Sequence, residues 1–179
     1  MKKKVLKELA AWAIYFLVIL GLTYILITYV GQRTVVEGSS MESTLQDQDG
    51  LWLNKLTYRF SDPKRFDIVV FPAQYKKAYL IKRVIALPGE TIVLDDAGNI
   101  FVDGELLVEY YGREQIDEAH HGRLTQEVTL GEDEYFVMGD NRNNSLDSRF
   151  EEIGNLKRNL IIGKVSFRIL PFKKFGSVK

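Results

Sequence analysis

From Leu9 to Gly31 the chain carries no charged residue for 23 positions, and no other feature limits its fold so strongly. A helix rises about 1.5 Å per residue and a bilayer's hydrocarbon core is about 30 Å thick, so roughly 20 such residues cross it. This run can span. Trp12 and Tyr15 near one end and Tyr29 near the other suit the interfacial zone, although Tyr24 suits it less. Met1-Lys2-Lys3-Lys4 is also how a cleaved secretory signal begins. The apolar run, however, exceeds the roughly 7 to 15 residues of a signal core, and Thr28-Tyr29-Val30-Gly31 is no small-x-small cleavage site. The expectation is a retained transmembrane helix over residues 9–31 behind a basic tail over residues 1–8. Lys2, Lys3, Lys4 and Lys7 precede the span and Arg33 alone closely follows it, which places the N-terminus in the cytoplasm and the bulk outside.

About 150 residues remain, room for one core or a core with a small satellite. Hydrophobic content of 46% argues for a folded domain. The formal net charge of zero hides an asymmetry: residues 1–31 sum to +3, so residues 32–179 sum to −3. That balance gives no support for nucleic-acid binding, which normally shows a basic surplus. There is no cysteine, which removes disulfides, zinc-thiolate sites and a cysteine nucleophile together.

Beyond the span the periodicity is mostly two. Thr34–Glu37, Gly50–Lys55, Phe66–Phe71 and Tyr79–Leu87 read as strands, and Thr91–Leu94 with Ile100–Val102 reads as a hairpin around residues 95–99. Short strands between frequent turns predict a mainly β fold. Residues 109–134 are polar and lack sustained alternation, so they form an excursion; their His120 and His121 lack spaced partners for a metal and are expected in a solvent-exposed loop. Neither metal nor cofactor is expected.

Three stretches carry candidate chemistry. Gly38-Ser39-Ser40-Met41-Glu42-Ser43-Thr44-Leu45 follows a strand, and its glycine can present the next hydroxyls on a tight turn. It also reads as a linker, and a serine stays inert until something takes its proton. Strand alternation then puts Lys82 between Leu80 and Val84, with Ala86 beyond, and Arg83 on the other face with Ile81, Ile85 and Leu87. A lysine in water titrates near 10.4, and burial disfavours its charged form. Lowering it two or three units costs about 3 to 4 kcal/mol and yields an amine able to accept a serine proton. The competing reading is an edge-strand lysine with its ammonium in water. Ser61-Asp62-Pro63-Lys64 also spells Ser-x-x-Lys, but in loop composition it is a chance match. Lastly, Met138 to Arg149 follows the apolar Tyr135-Phe136-Val137, and its short polar side chains suit a supporting shell in which Ser145 orients an amine.

Taken in order, these stretches resemble the type I (leader) signal peptidases, in the short single-anchor form of Gram-positive bacteria. The resemblance covers nearly the whole chain. It implies a β-rich catalytic core of antiparallel sheets, shared with self-cleaving repressor peptidases, and a small inserted subdomain over about residues 95–134 within a peptidase domain of residues 32–179. It selects Ser40 as nucleophile, because the family's serine precedes methionine, and Lys82 as base. Ser145 and Asp147 match the residues that support the lysine and its loop, and Asp140 and Arg149 match structural pairing positions. The implied activity is serine endopeptidase cleavage of secreted preproteins after small-x-small. It is expected from a monomer that touches membrane lipid, with Val36, Gly38, Leu45, Val70, Leu80 and Ile81 shaping the substrate site. Three positions depart from the pattern: Ser43 stands where proline is usual, Asn143 where aspartate is frequent, and Gly38 where some members have a hydroxyl that helps hold the oxyanion. The first predicts a less rigid turn, and the last predicts a replacement donor, such as a backbone N–H near Gly38, beside the Ser40 N–H. Two other readings stay open: an anchored β-domain that binds a partner without catalysis, and a same-fold peptidase devoted to a narrow substrate set.

Overall fold

The computed structural model describes residues 2–75, 77–112 and 114–178. Helix α1 (Lys2–Ile25) continues through a wider turn over Leu26–Val30, so the basic tail expected to precede the helix is its first two turns. Lysine and glutamate are good helix formers, and nothing between Lys2 and Leu9 interrupts propagation. The helix is exposed along its length, from Val5 through Leu17 to Ile27. Apolar surface of that extent needs a cover from outside the chain.

The strands follow in order: β1 (Gly31–Val35), β2 (Gly50–Asn54), the short helix α2 (Thr57–Phe60), β3 (Ile68–Pro72), β4 (Tyr79–Ala86), β5 (Thr91–Leu94), β6 (Ile100–Val102), β7 (Glu105–Leu106), β8 (Val128–Thr129), β9 (Glu134–Met138), β10 (Leu156–Lys157), β11 (Gly163–Leu170) and β12 (Gly176–Ser177). They form a larger sheet ordered β1-β2-β11-β3-β4-β9-β10, with β12 on β11, and a smaller sheet ordered β7-β6-β5-β8. Every pairing is antiparallel. The smaller sheet starts earlier than the expected residue 95, because Ile92 pairs with both Val102 and Val128 and so draws the first hairpin arm into it. Phe66 drops out of the expected strand: its φ of 71° is left-handed, and β3 starts two residues later.

Three apolar clusters fill the interior. Val36, Met41, Leu45, Leu51, Leu53 and Val70 pack beneath the segment after β1. Val69, Phe71, Val84 and Val137 pack with Leu80 and Leu87 on one side of β4. Ile85, Ala86, Ile92, Phe136 and Met138 join the two sheets. Each fully buried aliphatic side chain contributes about 1.5 to 3 kcal/mol before entropy is set against it.

Strand β4 breaks the simple alternation. Val84 pairs with Val137 but Ala86 with Phe136, so Ile85 is an extra residue in a bulge. Beyond it the phase slips: Leu87 packs with Leu80 and Val84, while Ala86 turns to the opposite cluster. The expectation that Ala86 shares the face of Lys82 is corrected. His121 is corrected as well: it is buried, with Nε2 3.3 Å from the Ile116 carbonyl oxygen, because the 3₁₀ turns of the excursion pack it inward. Ser61 to Lys64 form a loop whose Asp62 pairs with Arg158.

Candidate active site

Val36 ends the extended run and folds inward, while the chain returns to bond Val36 N–H to Asp49 O at 2.9 Å and Gln48 N–H to Val36 O at 3.0 Å. Between those closures Gly38 takes φ +91°, a conformation that side chains resist. Its N–H donates to Asp47 Oδ1 at 2.8 Å. Met41 and Leu45, at 1% and 0% exposure, plug the turn into the core, so the intervening backbone is held from below and Ser40 sits at its half-buried rim.

Lys82, 2% exposed, comes from β4, and its Nζ lies 2.7 Å from Ser40 Oγ in a hydrogen bond. An ammonium donates in that bond; a free amine accepts the serine proton through the same contact. Residues 42 apart in sequence meet here. Leu80 and Val84, on the lysine's own side, belong to the apolar cluster beneath it. Burial of that kind penalises the charged amine.

The 139–149 loop grips the turn from the other side. Asn141 N–H donates to Ser40 O and Asn141 Nδ2 to Ser39 O, both at 3.1 Å, and Asn144 Nδ2 donates to Ser39 Oγ at 2.9 Å. Gly139 sits where a Cβ would run into both Ser40 O and Ser145 Oγ. Asp147 accepts from Gly139 N–H at 3.0 Å and pairs with Arg149 through two bonds of 2.8 and 2.9 Å. Burial pushes the Asp147 carboxyl up, but Arg149's hydrogen bond and charge, the Gly139 N–H and the charge of Lys82 outweigh it and hold the group below the usual carboxylate range. Asp140 pairs with Arg83, also through two bonds, with both side chains fully buried. Arg83 reaches on to Thr44 Oγ1 and Phe66 O and lies 3.6 Å from the centre of the Tyr111 ring.

Of the residues singled out in the sequence, Ser40 and Lys82 are brought into contact, and Asp140, Asp147 and Arg149 are all ion-paired behind them. Ser145 is buried next to Gly139, with no hydrogen bond from its Oγ among the described residues. A groove of about 580 Å³ runs between residues 33–37 and residues 77–82 to Ser40. Val36, Leu80 and Ile81 line it, whereas Leu45 and Val70 lie behind it in the core and Gly38 is not part of its lining, its N–H being bonded to Asp47. The replacement oxyanion donor is therefore not Gly38's own N–H. Ser43 holds φ +93°, which proline cannot adopt, and its Oγ donates to Tyr111 O at 3.0 Å, so the turn expected to be less rigid is strapped to the excursion. Asn143 also serves the excursion: its Oδ1 accepts from Asp117 N–H and its Nδ2 donates to Gln115 O, both at 2.9 Å. Sequence reasoning missed Asn141, Asn144 and Tyr111 as supports. The first two carry a signal in their place within a loop rich in short amides; Tyr111 carries none.

The family model described as "Signal peptidase, peptidase S26" matches residues 9–170. Signal peptidase I P of Bacillus subtilis subsp. natto is 34% identical, over 99% of this chain and 98% of its own length. Signal peptidase I of Bacillus caldolyticus is 42% identical, over 83% of this chain and 84% of its own. A solved signal peptidase I from Enterococcus faecalis, 33% identical, covers 59% of this chain and 98% of its own at a TM-score of 0.49. On the family match and on the extent of identity to these two Bacillus enzymes, the chain belongs to the signal peptidase family, peptidase S26, as a membrane-bound serine endopeptidase.

Proposed function

We propose that signal-peptide cleavage by this chain runs on a Ser40–Lys82 dyad. The observation that carries the reading is the 2.7 Å contact between Oγ and the Nζ of a lysine only 2% exposed. Neutral Lys82 takes the Ser40 proton as Oγ attacks the scissile carbonyl carbon, and the resulting oxyanion is held by the Ser40 N–H. The ammonium then gives that proton to the leaving amine as the C–N bond breaks. Lys82, neutral again, takes a proton from water, whose oxygen attacks the acyl-enzyme. Return of that proton to Oγ releases the new carboxyl end and restores Ser40.

The substrate reading rests on the groove. An extended peptide fits beside residues 79–82 of β4, which β9 leaves unpaired, since that pairing begins at Arg83. Val36, Leu80 and Ile81 offer shallow apolar walls that suit alanine-sized side chains, in line with cleavage after small-x-small. Residues 32–179 form the peptidase domain, residues 1–8 lie in the cytoplasm and the domain lies outside, as the lysine bias before the span favours. A membrane anchor then confines enzyme and emerging preprotein to the same surface.

The test is cleavage of a preprotein by the full chain in lipid micelles. Ser40→Ala and Lys82→Ala should each abolish nearly all turnover, the double variant should lose little more, and Lys82→Arg should fail because guanidinium keeps its proton. Wild-type rates in Ser40→Ala would overturn the reading in favour of a different nucleophile.

A further inference from the structure

Where the apolar run ends, the β domain places two cations. Lys55, Tyr58 and Arg59 line a cavity of about 290 Å³ together with Thr28, Ile161 and Ile162. Every residue from Lys3 to Ile27 is exposed, and Thr28 is the first that the domain partly covers. Leu9 to Thr28 is 20 residues, which at about 1.5 Å each cover about 30 Å, the thickness of the hydrocarbon core. The cavity therefore lies at headgroup depth.

Neither cation is matched by a carboxylate among the described residues. Lys55 Nζ donates to Ile27 O at 3.0 Å and to Gln32 Oε1 at 2.8 Å, both neutral acceptors, which holds the ammonium against the last turns of the helix. The Arg59 guanidinium lies 4.6 Å from the centre of the Tyr29 ring and donates no hydrogen bond to a described residue. The carboxylates nearby are already engaged, Asp62 by Arg158 and Asp67 by the Tyr58 hydroxyl and Lys164. Two positive charges remain uncompensated beside the cavity.

A guanidinium offers a fork of N–H donors that fits two phosphate oxygens, and an ammonium adds a point charge beside it. The flanking residues suit the same interface. Leu56 and Phe60, each next in sequence to one of the cations, are 39% and 84% exposed. Apolar side chains set beside cations bind an anionic bilayer surface through both contributions at once.

We propose that this cavity binds the phosphate of an anionic phospholipid, in the leaflet where the helix leaves the bilayer. The bound headgroup bridges the end of the helix and α2, and so holds α2 against that leaflet. The site rests on the membrane span alone and uses no catalytic residue.

The experiment titrates the full chain, delipidated in neutral detergent micelles, with phosphatidylglycerol and reads retained lipid per chain by native mass spectrometry. Wild type should retain a single phosphatidylglycerol and should bind phosphatidylcholine, whose choline cation offsets the phosphate, about fivefold more weakly. Arg59→Gln and Lys55→Gln should each weaken phosphatidylglycerol binding about fivefold, the usual effect of one cation at an anionic surface, and the double variant more than about tenfold. Arg59→Lys keeps the charge and should stay nearer the wild type than Arg59→Gln does. Inorganic phosphate in excess over the lipid should not displace it; displacement would reassign the cavity to a soluble phosphate and overturn the lipid site. Equal binding of the two lipids, unchanged phosphatidylglycerol binding in the double variant, or an Arg59→Lys as weak as Arg59→Gln would overturn it too. None of these outcomes touches the dyad reading, which stands on preprotein cleavage.

Discussion

Lys82 and Arg83 are neighbours in sequence with opposite electrostatic tasks, and strand alternation is what separates them. The guanidinium of Arg83 is completely buried, and a buried charge of that kind requires the equally buried Asp140 carboxylate, which it meets through two bonds. Lys82 carries its charge on an amine that can lose a proton, while Asp147, paired with Arg149, still feels the charge of Lys82. Asp147 also makes stability depend on pH. Its folded-state value is depressed, so its contribution is present above the ordinary carboxylate value near 3.9 and is lost as pH falls through the lower folded value. Asp147→Asn should cost roughly 3 to 5 kcal/mol at pH 7, the usual cost of leaving a buried partner unpaired. Its stability should change less than the wild type's below about pH 4, as read by chemical denaturation across pH. Much at this scale was legible: the place of Ser40 in a glycine-led turn, and the apolar neighbours of Lys82. The lack of a bond to Ser145 Oγ was not, because the rotamer of a buried serine depends on Gly139 and the backbone behind it.

At the scale of elements, the site is three segments held at fixed separation: the turn after β1, β4, and the loop after β9. Gly139 sets the closest approach, and an alanine there has nowhere to go except into Ser40 O or Ser145. Gly139→Ala should keep the fold, measured by circular dichroism, while costing about 1 to 3 kcal/mol from overpacking. Activity should fall about a hundredfold, since displacing a reacting group by about 1 Å is enough for that. Unaltered kcat would show that the loop does not position the nucleophile. Strands with clean alternation, such as Tyr79 to Ile85, were readable from sequence. The bulge at Ile85 was not, because it is defined by the partner strand β9, and the phase beyond it changes with that pairing. β11 was passed over although Val165, Phe167 and Ile169 alternate; two register shifts against β2 interrupt it, and its place at the centre of the larger sheet depends on contacts more than 90 residues away.

The whole molecule is an apolar helix joined without a linker to a β domain, since β1 begins where the helical turns end. That junction makes sidedness decisive for the proposed function. The chain contains no cysteine, so single cysteines report topology against a silent background. Glu105→Cys, on an exposed strand of the smaller sheet, should react with an impermeant maleimide on intact cells, and Lys7→Cys should react only after lysis; the reverse pattern would contradict the proposed orientation. The central claim is that Ser40 is activated by an uncharged Lys82. It is tested most directly by the pH dependence of single-turnover acylation of Ser40 by the full chain in lipid micelles. The account predicts that the rate rises with pH and levels off well below 10.4, where a lysine in water is still charged. A rate still climbing at pH 10, or one that survives Lys82→Ala with the same profile, would contradict it.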